Sequence, residues 1–127
     1  MADLMTNKQL NIWGRDFDLP VVFQNFSDEP ISNLERETAQ KLGVSDFNTA
    51  KHHLTEFILK HNKEELGASK IDNIFKYVIP KSIIICNNKH NRLFALMCNY
   101  RFDMEHGLAI VFENESYKAV GYQDIIL

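Results

Sequence analysis

Five residues near the C-terminal end, Asp103-Met104-Glu105-His106-Gly107, place two carboxylates, an imidazole and a glycine between two apolar runs. Such groups can ligate a metal ion, or a carboxylate can orient an imidazole for proton transfer. The D-x-E-H spacing matches no specific metal pattern, and no second cluster in the chain has recognisable ligand spacing. The plainer assignment is a strand-joining turn, shaped by Asp103 and freed in φ by Gly107, with Glu105 and His106 exposed. Loops between rigid strands are where recognition residues gather. Asp103, Glu105 and His106 are therefore taken as binding residues, together with Gln123, Asp124 and Trp13. No residue is assigned as catalytic or as a metal ligand, and no cofactor is expected.

The remaining chemistry-bearing residues are sparser. His52 and Glu56 stand one helical turn apart, but H-E-x-x-H is absent and a solvated helix face accounts for them. Five glycines at 14, 43, 67, 107 and 121 are too scattered for a phosphate loop. There is no G-x-S-x-G elbow and no C-x-x-C. Trp13 precedes the first turn on the polar side of its hairpin, as an exposed anchor or as packing beneath a second layer.

Composition narrows the partners. The formal net charge is −3, and no two of the 14 Lys and Arg are adjacent, so the basic stripe that phosphate binding needs is missing. Nucleic acid is not expected. No apolar run approaches the roughly 20 residues of a membrane span, and the first residues lack the pattern of a signal peptide. The expected location is cytoplasmic, which makes the sequons at Asn25 and Asn114 chance matches. Cys86 and Cys98 are expected reduced and buried. In a hairpin turning near Lys89-His90, Cys86 faces residue 93 and Cys98 lies far along the ladder, beyond the roughly 7 Å a disulfide allows.

The elements that must position these residues fall in three blocks of one domain spanning 1–127. Leu10-Asn11-Ile12 and Phe17-Asp18-Leu19 alternate around Gly14-Arg15, which predicts an edge hairpin with Ile12 facing Phe17 and Leu10 facing Leu19. Ser27-Asp28-Glu29-Pro30 breaks the second strand. Ser32 and Glu35 have capping-box spacing, which predicts a surface helix to Leu42 closed by Gly43. Ala50, Leu54, Phe57 and Ile58 predict a stronger helix from Phe47 to Glu65, with Glu56 and Lys60 paired on its outer side. Ile71, Ile74, Phe75 and Val78 predict a short third helix before Pro80.

From Ser82 the pattern becomes sheet. Ile83-Ile84-Ile85, Leu93 to Met97 and Leu108 to Phe112 are apolar at consecutive positions, the mark of strands buried on both faces. A turn at Asn114-Glu115 pairs Phe112 with Tyr117 and Ile110 with Ala119, and the apolar C-terminal end docks. The sum is an α+β domain with an N-terminal β-hairpin, two to three helices packed on the sheet and a C-terminal antiparallel meander. The second sheet face also needs a cover, either the hairpin or a second copy of the chain in a homodimer.

The segment Gly14-Arg15-Asp16-Phe17-Asp18-Leu19-Pro20-Val21, with the runs Leu96 to Ile110 and Val120 to Leu127, resembles a family of small bacterial domains of unknown function. These domains are similar in style to immunity proteins that neutralise toxins. The resemblance implies a C-terminal meander and no established activity, and it carries over no catalytic residue. Asn114-Glu115 departs from the Asn-Gly it implies, leaving the turn type open. The expected function is a non-enzymatic protein-binding domain with acidic loops (Asp28-Glu29, Asp103 to Glu105, Glu113 to Glu115) that would steer a basic partner. The alternative is a small enzyme or metal-binding protein using Asp103, Glu105 and His106. A lesser one is a ligand sensor with an apolar pocket between the Phe47–Glu65 helix and the sheet.

Overall fold

The computed structural model describes residues 6–24, 30–67 and 70–126. Its frame is one six-stranded sheet ordered β1-β2-β3-β4-β5-β6. The strands are β1 (Thr6–Ile12), β2 (Arg15–Phe23), β3 (Val78–Ile85), β4 (Leu93–Tyr100), β5 (Leu108–Glu113) and β6 (Ser116–Tyr122). All neighbours are antiparallel except β2 and β3, which run parallel from Val21 opposite Ile83 to Phe23 opposite Ile85. A parallel pair needs a crossover, and the helices occupy it: α1 (Asn33–Gln40), α2 (Phe47–His61) and the single turn α3 (Lys63–Leu66). The domain is α+β, but its arrangement differs from the expected one. Hairpin and meander form one mixed sheet, so the hairpin is an edge and not a second layer.

The hairpin also turns one residue earlier than predicted. Trp13 and Gly14 form the two-residue loop, both at positive φ (54° and 86°), the signature of a type I′ turn. Ile12 therefore faces Arg15 and Leu10 faces Phe17. Moving a turn by one residue shifts register by two, which keeps every side chain on its face. Leu10, Ile12, Leu19 and Val21 are all buried as the alternation demands. On the opposite face Asn11 donates to Asp16 and Asn7 to Asp18. Pro20 stands one residue before the first β3 partner.

The capping box at Ser32 forms in both directions: the Glu35 N–H donates to Ser32 Oγ, and the Ser32 N–H donates to Glu35 Oε1. α1 ends at Gln40, and Leu42–Val44 forms a separate 3-10 turn. α2 buries Phe47, Ala50, Leu54 and Ile58 against the sheet. Each Leu or Ile so buried contributes roughly 1.5–3 kcal/mol. The helix stops at Asn62, earlier than Glu65, and the Tyr100 hydroxyl donates to the Asn62 side chain beneath it. Gly67, in the left-handed region, closes α3. Glu56 is engaged by His52 Nε2 at 3.0 Å in place of the expected Lys60 partner. The predicted third helix reduces to the 3-10 turn Ile74–Lys76, which the Asn73 side chain caps. Val78, Ile79 and Pro80 belong to β3, with a register irregularity after Pro80.

Ala95, Met97, Ala109 and Val111 on the face opposite the helices are buried, as the consecutive apolar residues of β4 and β5 require. The 3-10 turn Gln123–Ile126 folds back toward β5, with Ile125 against Gly121. Leu127, the acidic pair Asp28-Glu29 and Asn25 lie outside the described residues. Asn114 and Glu115 turn the last hairpin, both at positive φ (50° and 68°), and Phe112 faces Tyr117. A bulge at Lys118 then shifts the ladder, so Ile110 faces Val120 and not Ala119. Cys86 donates its N–H to Leu93 and is, like Cys98, a buried free thiol. Burial pushes the Cys86 thiol up to about 11 and Cys98 higher still.

A glutamate in the left-handed region needs compensation, and Arg92 gives it. Its guanidinium grips Glu115 with Nε (2.6 Å) and Nη2 (2.9 Å) and reaches Glu37 of α1 with Nη1 (3.1 Å). Two-pronged contacts of this kind are the strong ones. The Arg92 hydrogen bonds hold the Glu115 carboxyl below its ordinary value of 4.5, against a smaller opposing effect of burial. A depressed folded value contributes stability above the unfolded value, and that stability is lost as pH falls through the folded one. Arg92→Ala is expected to lower the melting temperature by a few degrees at pH 7 and to flatten the acid limb below about pH 4.5. Thermal melts from pH 7 down to pH 3 read both; parallel pH profiles for the two proteins would exclude the clamp.

Candidate functional site

The loop joining β4 to β5 is built from its own hydrogen bonds. The Asp103 N–H donates to the Tyr100 carbonyl (3.1 Å) and the Gly107 N–H to the Asp103 carbonyl (2.9 Å). The Asp103 carboxylate closes the inside of the turn: it accepts the His106 N–H at 3.1 Å, and His106 Nδ1 lies 3.0 Å from both oxygens. That backbone N–H, reinforced by the imidazole, holds the Asp103 carboxyl below its ordinary range, against partial burial. Gly107 adopts φ 59° and is buried. Met104, Glu105 and His106 face solvent, and Met104 is 65% exposed.

The register of β5 and β6 brings a second segment to this loop. Leu108 faces Tyr122, so Gly107 comes to lie beside Gln123. A Cβ placed on Gly107 would sit 2.6 Å from Gln123 Nε2 and 2.7 Å from the Cys98 carbonyl oxygen. The Tyr122 ring stands edge-on to His106 at 6.3 Å. Asp103, His106 and Gln123 thus meet at one end of the sheet, with Glu105 exposed on the same loop. Asp124 follows in the 3-10 turn, but its side chain lies outside the described residues.

Trp13 does not join them. It occupies the hairpin turn itself and not the polar face, because its ring packs on Phe75 (5.9 Å) and its indole N–H donates to the Phe47 carbonyl at 2.8 Å. Arg15 lies over the same Phe75 ring at 4.1 Å. Among the described residues, no three His, Cys, Asp or Glu side chains come together in a way that could hold a metal ion. No described helix is long and apolar enough to cross a membrane.

Two groupings escaped sequence reasoning. The Arg92–Glu115–Glu37 clamp joins residues 23 and 55 positions apart, and nothing in local spacing announces it. The Tyr100–Asn62 bond spans 38 positions; its one sequence signal is a tyrosine closing a mostly apolar strand, since a buried phenol needs a partner. No curated protein and no solved structure matches the chain. A family model does, over residues 4–127 and therefore over both strands and the loop of the site, and the chain belongs to that family, described as a domain of unknown function (DUF6985).

Proposed function

We propose that this chain is a non-enzymatic protein-binding domain of the immunity type, which neutralises a partner toxin by surface complementarity and presents the 103–107 loop to it. The observation that carries the reading is Met104, 65% exposed at the tip of a loop pinned by Asp103 and flanked by exposed Glu105. Methionine is a flexible apolar anchor that adapts to a partner pocket. The neighbouring carboxylate would draw in a basic rim and speed association. Because the loop is already hydrogen-bonded, binding would cost little ordering entropy. The expected location is the bacterial cytoplasm, with homodimerisation through the sheet as a further expectation. The Asp103–His106 contact at 3.0 Å favours the alternative of acid–base chemistry, in which a carboxylate orients an imidazole.

The test uses the protein encoded next to this one as the candidate partner. Surface plasmon resonance should show that Glu105→Lys slows association several-fold, an effect that fades with added salt. Met104→Ala should speed dissociation about tenfold, or about 1.4 kcal/mol. Unchanged rates in both variants against a partner that binds the natural chain would remove the loop from the interface.

A further inference from the structure

On the sheet face away from the helices, at the end opposite the 103–107 loop, Gln24, Cys86, Asn87, Leu93, Val111, Lys118, Ala119 and Ile125 line a half-open cavity of about 320 Å³. Its floor is apolar, formed by Leu93, Val111 and Ala119 beside buried Ala95 and Ala109. Ile125 forms a wall and is left 47% exposed, one of five exposed large hydrophobics among the described residues. Polar groups stand on the lining as well: the amide of Asn87 and the ammonium of Lys118. Small-molecule sites have this composition, a mostly apolar concavity of about 300–1,000 Å³ with a few polar groups that fix orientation. The bulge at Lys118 is what turns that residue, the extra one in β6, toward Glu113 on this face, where Nζ meets Oε2 at 3.0 Å.

We infer that this cavity binds a small amphipathic carboxylic acid, its chain along Leu93, Val111, Ala119 and Ile125 and its carboxylate on Lys118 and Asn87. The argument is one of charge and size. Among the described residues the lining itself holds an ammonium and no carboxylate, Glu113 meeting that ammonium from outside the lining, so the lining offers a partner to an acid head. Lys118 is half exposed and its existing partner Glu113 one-third exposed; exposed pairs of this kind are weak, so a ligand carboxylate can share the ammonium. At roughly 30 Å³ per heavy group the volume holds about eleven non-hydrogen atoms, close to the size of a ten-carbon acid. Its chain would cover Ile125 beside the buried Ala95, Met97, Ala109 and Val111 cluster. The site is distinct from the 103–107 loop, and the inference does not depend on a protein partner there.

Decanoate titrated into the full chain with ¹³C-labelled methyl groups tests it. Saturable shifts are expected at Leu93, Val111, Ala119 and Ile125, with Leu54 and Ile58 of α2 unmoved. Lys118→Glu should weaken binding about tenfold, decanol should bind the natural chain more weakly by a similar factor, and Ala119→Phe should fill the cavity and abolish the shifts. Lys118 is surface-exposed enough for its variant to fold even where Ala119→Phe does not. Absence of saturable shifts below the micelle concentration would overturn the inference, as would equal affinity in Lys118→Glu. So would the same methyls shifting on protein concentration alone with a sedimentation coefficient rising to that of a dimer, because a second copy would then be the cover.

Discussion

Replacing Gly107 by alanine should destabilise the fold by about 2–4 kcal/mol, one of the largest effects open to a single methyl group in this chain. Two costs combine. At φ 59° an L-residue pays about 1–2 kcal/mol for the left-handed region. The new Cβ would also lie 2.7 Å from the Cys98 carbonyl oxygen, which belongs to the backbone of β4 and cannot step aside without disturbing the ladder to β5. Its other neighbour, the end of the Gln123 side chain at 2.6 Å, can swing away at little cost. Gly67 is the control. It has nearly the same φ (67°), but a Cβ there meets nothing within 4 Å, so Gly67→Ala should cost about 1–2 kcal/mol. Urea denaturation of both variants isolates the contact by difference. If Gly107→Ala costs no more than Gly67→Ala, the loop does not depend on close approach to β4. The consequence for function follows from the same geometry. Displacing Gln123 and residue 107 loosens the loop that holds Met104 and Glu105, so partner binding should weaken more than either surface substitution weakens it.

What could be read in the sequence divides according to distance along the chain. The α2 face was legible because Ala50, Leu54 and Ile58 repeat at the helical period, and burial of such a stripe needs only a sheet somewhere. The hairpin faces were legible for a similar reason: parity survives an error of one turn position, so the apolar face of Leu10, Ile12 and Leu19 is buried as the alternation indicates, while the residues facing them across the ladder differ. The turn itself was misplaced because a tryptophan at positive φ is disfavoured, and what compensates it lies 34 residues away on Phe47. The third helix failed because Ile71, Ile74, Phe75 and Val78 fit a helical period, while the strand beginning at Val78 is specified by Tyr100 across the ladder. The parallel pairing of β2 with β3 joins Val21 to Ile83, and no local pattern encodes it. At the candidate site, Asp103 and Gly107 announced a turn by residue type. Gln123 was brought to it by the β5–β6 register, which a hairpin turn at Asn114-Glu115 sets. That register was legible up to the bulge, where Lys118 steps out of the ladder.

Trp13→Gly should lower stability by about 2–4 kcal/mol, even though it improves the local chemistry of the turn. A type I′ loop wants φ > 0 at both central positions, and Gly-Gly satisfies that where Trp-Gly is strained. On turn chemistry alone the variant would be more stable than the natural chain. The opposing effect comes from what Trp13 holds together. The first residues of α2 sit between the two edges of the sheet: the Asp46 N–H donates to the Glu115 carbonyl at the β5–β6 turn (2.9 Å), and the Phe47 carbonyl accepts the indole N–H from the β1–β2 turn (2.8 Å). Losing the indole removes half of that bridge, the contact with Phe75, and a large apolar area from the margin of the core. Trp13→Phe separates the two contributions. It keeps most of the ring contact and loses the hydrogen bond, so it should cost about 1–2 kcal/mol. The same variant removes the indole donor from the Phe47 carbonyl, which stands in the first turn of α2. Chemical denaturation monitored by circular dichroism suits both variants, because Trp13 is the single tryptophan of the chain and fluorescence would vanish with it. A Trp13→Gly protein as stable as the natural one would mean that the turn, and not the bridge, decides the residue at 13. A loss concentrated in Trp13→Gly, with Trp13→Phe near neutral, would assign the effect to packing on Phe75 and leave the hydrogen bond to Phe47 a minor part of how the edge hairpin is held.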